Sequence, residues 1–258
     1  MPYYQLKPWA ESKALIVNDD GIDAEGIKVL EGLARSIFAK VVVVAPSHEH
    51  SGMGHAVSYK KLFNLHKIDE DHYAVEGTPA DCAIVGLEVV LKDSPPDVVL
   101  SGINHGENAG NSIAYSGTFG GAFEAGLAGI PSIAFSQTKD HHGNPDFAVA
   151  RRNFAQVLEF LQHAPWPDHV VMNVNFPAKD QDEGHELLPT HQGRHHIIDG
   201  VDVTPHGNGS HVLSIRFKNK VVDNGLPHDL DVLARKGVTI TPVLTNWTCH
   251  ETLALWAK

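Results

Sequence analysis

The sequence predicts an α/β protein: a doubly wound, mostly parallel sheet with a β-hairpin-rich extension at its C-terminal end. Short runs such as Ala14-Leu-Ile-Val17 and Val41-Val-Val-Val-Ala45 are apolar at every position, which marks strands buried on both faces. Between such runs lie segments whose apolar residues recur at helical spacing. Strands alternating with helices pack as a parallel sheet covered on both sides. After Pro177 both patterns stop, and the composition turns to His, Asp, Gly and Pro.

The elements follow in order. Ala14–Val17 is a strand ending in the polar turn Asn18-Asp19-Asp20-Gly21, and Ile27, Leu30, Leu33, Ala34 and Ile37 give one apolar helix face. Val41–Ala45 is a second strand, stopped by Pro46. Gly77-Thr-Pro79 opens a helix with Thr78 as N-cap and Pro79 at the first helical position. Asp97–Ser101 is a strand, Gly117 to Gly129 a helix, and Ile133–Phe135 a strand. Phe147, Ala150, Phe154, Val157, Leu158 and Leu161 mark another helix, which precedes the strand Val170–Val174. Residues 1–177 thus form the α/β core. Residues 178–258 read as an extension and not as an independent domain, with β-like runs at Val212–Phe217 and Val238–Ile240 and a helix near Glu251–Trp256.

Composition narrows the function. A chain of 258 residues buries roughly 70% of its unfolded surface, so its core needs neither disulfides nor a structural metal. The net charge of −11 argues against a nucleic-acid duplex as partner, because phosphate-backbone binding needs clustered Lys and Arg. Cys82 and Cys249 are far apart, which excludes a disulfide framework and a thiolate zinc site and suits a reducing compartment. The start, MPYYQLKPWAESKALIV, has no export leader, and no apolar run approaches the ~18 residues that span a bilayer. A soluble, cytoplasmic protein without a membrane partner is expected.

Ligands of open α/β sheets bind beyond the carboxyl ends of the strands. Three polar segments follow three strands directly: Asn18–Gly21, Ser47-His-Glu-His-Ser51-Gly52 and Ser101-Gly-Ile-Asn104-His105-Gly106. Adjacent carboxylates at a strand end repel each other and are stable as a pair only near a cation. Neutral oxygens from Ser51 and Asn104 complete an all-oxygen shell, suited to Mg²⁺ or Mn²⁺ rather than Zn²⁺. Each segment alone also reads as an ordinary turn; their coincidence at three strand ends favours a site. In Tyr115-Ser116-Gly117-Thr118, Ser116 or Thr118 caps the next helix, and Gly117 lets an anion approach its free amides. A cap followed by small packing residues is the competing reading.

These segments stand in a series: Asn18-Asp-Asp-Gly-Ile22 with Gly26-Ile27, Ala45-Pro46 with Ser51-Gly52, Gly77-Thr-Pro-Ala-Asp-Cys82, Ser101-Gly-Ile-Asn104 with Gly106, Asn108 and Gly110, and Tyr115-Ser-Gly-Thr118. The series resembles the survival protein SurE family of metal-dependent 5′-nucleotidases, and Val238-Thr-Ile-Thr-Pro242 resembles the family's late strand motif. Glu25 stands where the family usually has proline, Val243 replaces a usual leucine, and residues 178–235 align poorly. The resemblance implies a Rossmann-like core and hydrolysis of nucleoside 5′-monophosphates to nucleoside and phosphate. It implies Asp19, Asp20, Ser51 and Asn104 as ligands of one divalent cation per subunit, Mg²⁺ or Mn²⁺, with Asp19, Asp20 and Asn104 also catalytic. Ser116, Gly117 and Thr118 would line the phosphate pocket, and the C-terminal extension would build a homodimer or homotetramer. A broader phosphomonoester or polyphosphate hydrolase and a non-catalytic nucleotide-binding module are the alternatives.

Other chemistries lack their motifs. Gly110-Asn-Ser112-Ile-Ala114 misses G-x-S-x-G at its last position, and neither G-x-G-x-x-G nor G-x-x-x-x-G-K-[ST] occurs. His48-Glu-His50, His141-His142 and His195-His196 sit too close together to share a helix face, and read mostly as solvated loop residues. His105, beside Asn104, reads either as a loop residue or as a group reaching the phosphate.

Overall fold

The structure is a computed structural model that describes residues 2–140, 143, 146–178, 184–222 and 228–257. In chain order its strands are β1 (Lys13–Val17), β2 (Lys40–Pro46), β3 (Leu65–Lys67), β4 (His72–Val75), β5 (Val98–His105), β6 (Ser132–Gln137), β7 (Val170–Phe176), β8 (Leu187–Pro189), β9 (Arg194–Pro205), β10 (His211–Val222) and β11 (Val238–Leu244). The helices are α1 (Glu25–Arg35), α2 (Pro79–Val85), α3 (Gly117–Leu127), α4 (Ala148–His163), α5 (Asp229–Ala234) and α6 (His250–Trp256).

Nine strands form one sheet in the order β3-β4-β2-β1-β5-β6-β7-β11-β8. Strands β4, β2, β1, β5, β6 and β7 run parallel to their neighbours, β3 pairs antiparallel with β4, and β11 pairs antiparallel with β7. Alternate residues of each central strand enter different cores. Ala14, Ile16, Val41 and Val43 pack into a cluster that includes Ile27 and Leu30 of α1 and Phe154 and Val157 of α4. Leu15, Val17, Val42 and Val44 pack into another with Cys82 and Ala83 of α2 and Ala125 of α3. Two covered faces are why the strand sequences are apolar without alternation, and the expected doubly wound α/β architecture is the one found.

Local signals act as anticipated. Thr78 caps α2: its hydroxyl oxygen accepts from the Asp81 N–H at 3.2 Å while the Asp81 carboxylate accepts from the Thr78 N–H at 2.8 Å. The order in which successive strands are added reverses at β1, since β2 lies on one side of it and β5 on the other. In such a sheet the loops at the carboxyl ends of these strands splay apart and leave a crevice.

Several elements were not visible in the pattern. The edge strands β3 and β8, and β4 next to β3, are three or four residues long and do not show as buried runs. The run expected at Val212–Phe217 belongs to the longer β10, whose partner β9 carries His, Asp and Gly among its apolar residues. These two strands pair only with each other, as an arm outside the main sheet. From the extension, β8 and β11 complete the far edge of the main sheet.

Candidate active site

A cavity of about 690 Å³ opens at the carboxyl ends of β1, β2 and β5, and Asp19, Asp20, Ser51, Asn104, His105 and Ser116 line it. The turn after β1 is tied to the loop after β2 through Ile22 N–H to Pro46 O, 2.9 Å, and His50 N–H to Asp19 O, 2.8 Å. Within the turn, Asn18 Nδ2 donates to Gly21 O at 2.8 Å. These bonds hold Asp19 inward, where it is 3% exposed.

Both carboxyls are held above their ordinary range. Burial, then the neighbouring Asp20 charge, pushes Asp19 up to about 7, against hydrogen bonds from Thr118. Burial likewise pushes Asp20 up to about 6, and Glu49 adds to the rise, while the His105 N–H and Lys139 oppose it. Asp20 Oδ2 is buried without a hydrogen-bond partner. Buried carboxylates crowded by one another and missing donors are what a cation would complete. Among the described residues no group of three or more His, Cys, Asp and Glu side chains converges. The oxygen donors present suit a hard divalent cation.

The remaining predicted residues come together around this pair. Ser51 Oγ donates to Glu49 Oε1 at 2.9 Å at the exposed rim. Asn104 Nδ2 donates to Gly106 O at 2.8 Å, so its carbonyl oxygen is the free end of the amide. A register shift between Ser101 and Asn104 in the β5–β6 pairing re-aims the strand tip. It depends on Gly102, whose φ is +132° and whose Cβ would lie 2.3 Å from Phe135 O. His105 lies at the wall, its ring 5.3 Å from that of Phe147, and burial followed by Lys139 holds it below the usual histidine range.

Ser116 is the N-cap of α3 and accepts from Phe119 N–H at 2.9 Å. Of Ser116, Gly117 and Thr118, only Ser116 lines the cavity. Thr118 is fully buried and donates its hydroxyl to Asp19 Oδ1 at 2.5 Å, and its backbone N–H bonds the same carboxylate. Gly117 packs so closely that a Cβ would stand 2.8 Å from Asp19 Cβ.

Sequence reading assigned no role to Asn108, Tyr115, Lys139, Ile197 or Phe217, which also line the cavity. Asn108 is held from beneath: its N–H donates to Asn175 Oδ1 at 2.8 Å, its Nδ2 to Ser136 Oγ at 2.9 Å, and its carbonyl accepts from Asn173 Nδ2 at 2.7 Å. Buried asparagines at alternate positions 173 and 175 of an otherwise apolar strand were the available signal. His195 departs from the solvated-loop reading; it is buried, and its Nδ1 accepts from Asn111 N–H at 3.1 Å. His48 is exposed and His50 half-buried, and His141 and His142 lie outside the described residues.

A doubly wound α/β protein with two adjacent carboxylates at a strand end, one buried and one half-buried, faced by a helix N-terminus, is the class that fold and crevice define. Within it, the chain belongs to the SurE family: the family model described as Survival protein SurE matches residues 14–199. The 5′-nucleotidase SurE of Methylocella silvestris is 36% identical over 248 residues, covering 95% of this chain and 98% of that protein. The 5′-nucleotidase SurE of Mesorhizobium japonicum is 39% identical over 242 residues, covering 93% and 96%. The crystal structure of the SurE protein from Aquifex aeolicus matches with a TM-score of 0.80 at 33% identity, covering 94% of this chain and 97% of that one.

Proposed function

We propose that the chain hydrolyses nucleoside 5′-monophosphates to nucleoside and inorganic phosphate with one divalent cation, Mg²⁺ or Mn²⁺, per subunit. The names of its relatives support the reaction. The observation that carries it here is the Asp19–Asp20 pair, one carboxyl buried and the other half-buried, both pushed up in pKa beside the first turn of α3. Asp19, Asp20, Ser51 and Asn104 would hold the cation. When bound, it supplies Lewis-acid polarisation of a phosphoryl oxygen and lowers the pKa of a water.

The chain's own residues do the rest. Ser116 receives the Phe119 N–H on its oxygen and keeps its own hydrogen to donate to a phosphoryl oxygen. The positive end of α3, which begins at Gly117 behind Ser116, favours the charge that accumulates in the transition state. Thr118 acts through Asp19, fixing the carboxylate with its hydroxyl. Asn108, locked by Asn173, Asn175 and Ser136, gives the crevice a rigid floor.

The setting is proposed as cytoplasmic, in keeping with two free cysteines, and the assembly as a homodimer or homotetramer through the C-terminal extension. No helix among the described residues is long and apolar enough to cross a membrane. The test is phosphate release across nucleoside 5′- and 3′-monophosphates, simple phosphomonoesters and polyphosphate, with EDTA and metal add-back. Preferential, EDTA-sensitive turnover of 5′-monophosphates is expected. Equal turnover of all esters points to a broader phosphatase, and nucleotide binding without turnover to a binding module.

A further inference from the structure

The phosphate end of the crevice is polar, but its other lining residues include Tyr115, Ile197 and Phe217. Tyr115 is 46% exposed and Phe217 65% exposed, so both present ring surface to the opening. Tyr115 immediately precedes Ser116, which places one ring next to the proposed phosphate donor. Ile197 and Phe217 come from the two strands of the β9–β10 arm.

The arm is anchored beside this opening. His195, two positions before Ile197, is buried; its Nδ1 accepts from Asn111 N–H, and its carbonyl accepts from Asn111 Nδ2 at 2.8 Å. The fully buried Asp229 carboxylate accepts from Gly110 N–H and from Gly193 N–H, both at 2.8 Å. Gly110 and Asn111 begin the 3₁₀ helix that ends at Tyr115. One short helix therefore carries the first ring and holds the strand that brings the other apolar wall.

Three of the polar groups near these rings are already committed. Ser112 Oγ donates to Ala109 O at 2.6 Å, Asn108 Nδ2 to Ser136, and Ser51 Oγ to Glu49. An aromatic ring entering here finds stacking surface beside Tyr115, Ile197 and Phe217, and Ser112, Asn108 and Ser51 direct their own hydrogens elsewhere. Stacking is tolerant of base identity because every base has a π face, and it grows with ring size.

We propose that Tyr115, Phe217 and Ile197 form the nucleobase subsite, which binds by stacking, favours purines over pyrimidines, and does not separate adenine from guanine. The proposal rests on the nucleotidase reading above, because it presumes a phosphate seated at Ser116. It adds that the β9–β10 arm, outside the main sheet, belongs to the substrate site.

Calorimetric titration of the full chain with 5′-AMP, 5′-GMP, 5′-UMP and ribose 5-phosphate in EDTA, where no ester should turn over, tests it, alongside separate measurement of phosphate release in Mg²⁺. The purine nucleotides should bind within about threefold of each other and ~10-fold more tightly than ribose 5-phosphate, with 5′-UMP between. Phe217→Ala should weaken 5′-AMP ~5- to 10-fold and bring it towards ribose 5-phosphate, and Phe217→Trp should restore the difference. Phe217 is exposed, so these variants should keep the wild-type melting temperature. Equal affinity for 5′-AMP and ribose 5-phosphate in the wild type, or equal weakening of both by Phe217→Ala, overturns the subsite. If phosphate is released from both esters in that case, the phosphatase reading survives. If adenosine and 5′-AMP bind but no phosphate is released, the subsite stands and the phosphatase reading falls.

Discussion

Thr118 donates its hydroxyl to Asp19 across 99 positions of sequence, joining the first turn of α3 to the tip of β1. That bond couples the proposed metal site to the proposed phosphate site. A change on either side should be felt on the other, which sets the form of the first two predictions.

Asp19→Asn removes one charge of the pair and leaves an amide oxygen that can still accept from the Thr118 hydroxyl. Turnover should fall at least ~10³-fold, the order expected for losing the electrostatic contribution of a cation. The metal-free variant should melt at or above the wild-type temperature, because burial and Asp20 both disfavour the Asp19 charge. Millimolar Mg²⁺ or Mn²⁺ should raise the wild-type melting temperature and leave the variant unmoved. Activity that persists in EDTA-treated wild type would sink the metal assignment.

Gly117→Ala tests the helix terminus. The new Cβ would meet Asp19 Cβ at 2.8 Å, Asp19 Oδ2 at 3.0 Å and Pro79 Cγ at 3.1 Å. The crowding should destabilise the fold by about 1–3 kcal/mol. It should also weaken inhibition by inorganic phosphate and reduce the metal-induced thermal shift together. Inhibition constants that match wild type would make this terminus a packing element only.

His72 gives a pH dependence away from the crevice. Burial alone would lower its pKa, but ion pairs with Asp69, 2.8 Å, and Glu31, 2.9 Å, outweigh it and raise the value above 6.5. Its stabilisation is fully present below pH 6.5 and lost as pH rises through the raised value. The group is partly solvated, so the effect should stay below about 1 kcal/mol. His72→Asn should therefore lower the melting temperature more at pH 5.5 than at pH 8.5. An equal drop at both would show that the loss is one of packing.

The β9–β10 arm bears on assembly. Val203, Val212, Leu213 and Ile215 are more than half exposed along it, and Trp247 and Trp256 are exposed further on. Apolar surface of that extent on an arm is ordinarily covered, and a two-fold arrangement is the commonest way to cover it. Light scattering of the full chain should give a particle of at least twice 28.0 kDa. A monodisperse 28.0 kDa species at micromolar concentration rules this out.

Much of the fold was legible because local rules and tertiary demands agree. Val41–Ala45 is apolar throughout because β2 is buried on both faces, and Thr78-Pro79 starts α2 because cap and ring geometry act within one turn. Asp19 and Asp20 stood out because adjacent carboxylates at a strand end have few stable explanations. Strands at one margin of the sheet gave no comparable signal: the edge strand β3 and its neighbour β4 are short and carry polar residues, since that margin meets solvent. The cavity residues Asn108 and Phe217 are 109 positions apart in sequence, and no local period relates them.

Residue types and their order thus determined the doubly wound core, the helix starts and the acidic strand end, since each depends on interactions within a few positions. Tertiary structure decided the rest. It turned Thr118 towards Asp19, held Asn108 with Asn173 and Asn175, and set the arm beside Tyr115 through His195. Each of these depends on which strands become neighbours, a choice made by burial of the whole chain, because hydrogen bonds between distant residues form only after the sheet has brought their backbones together.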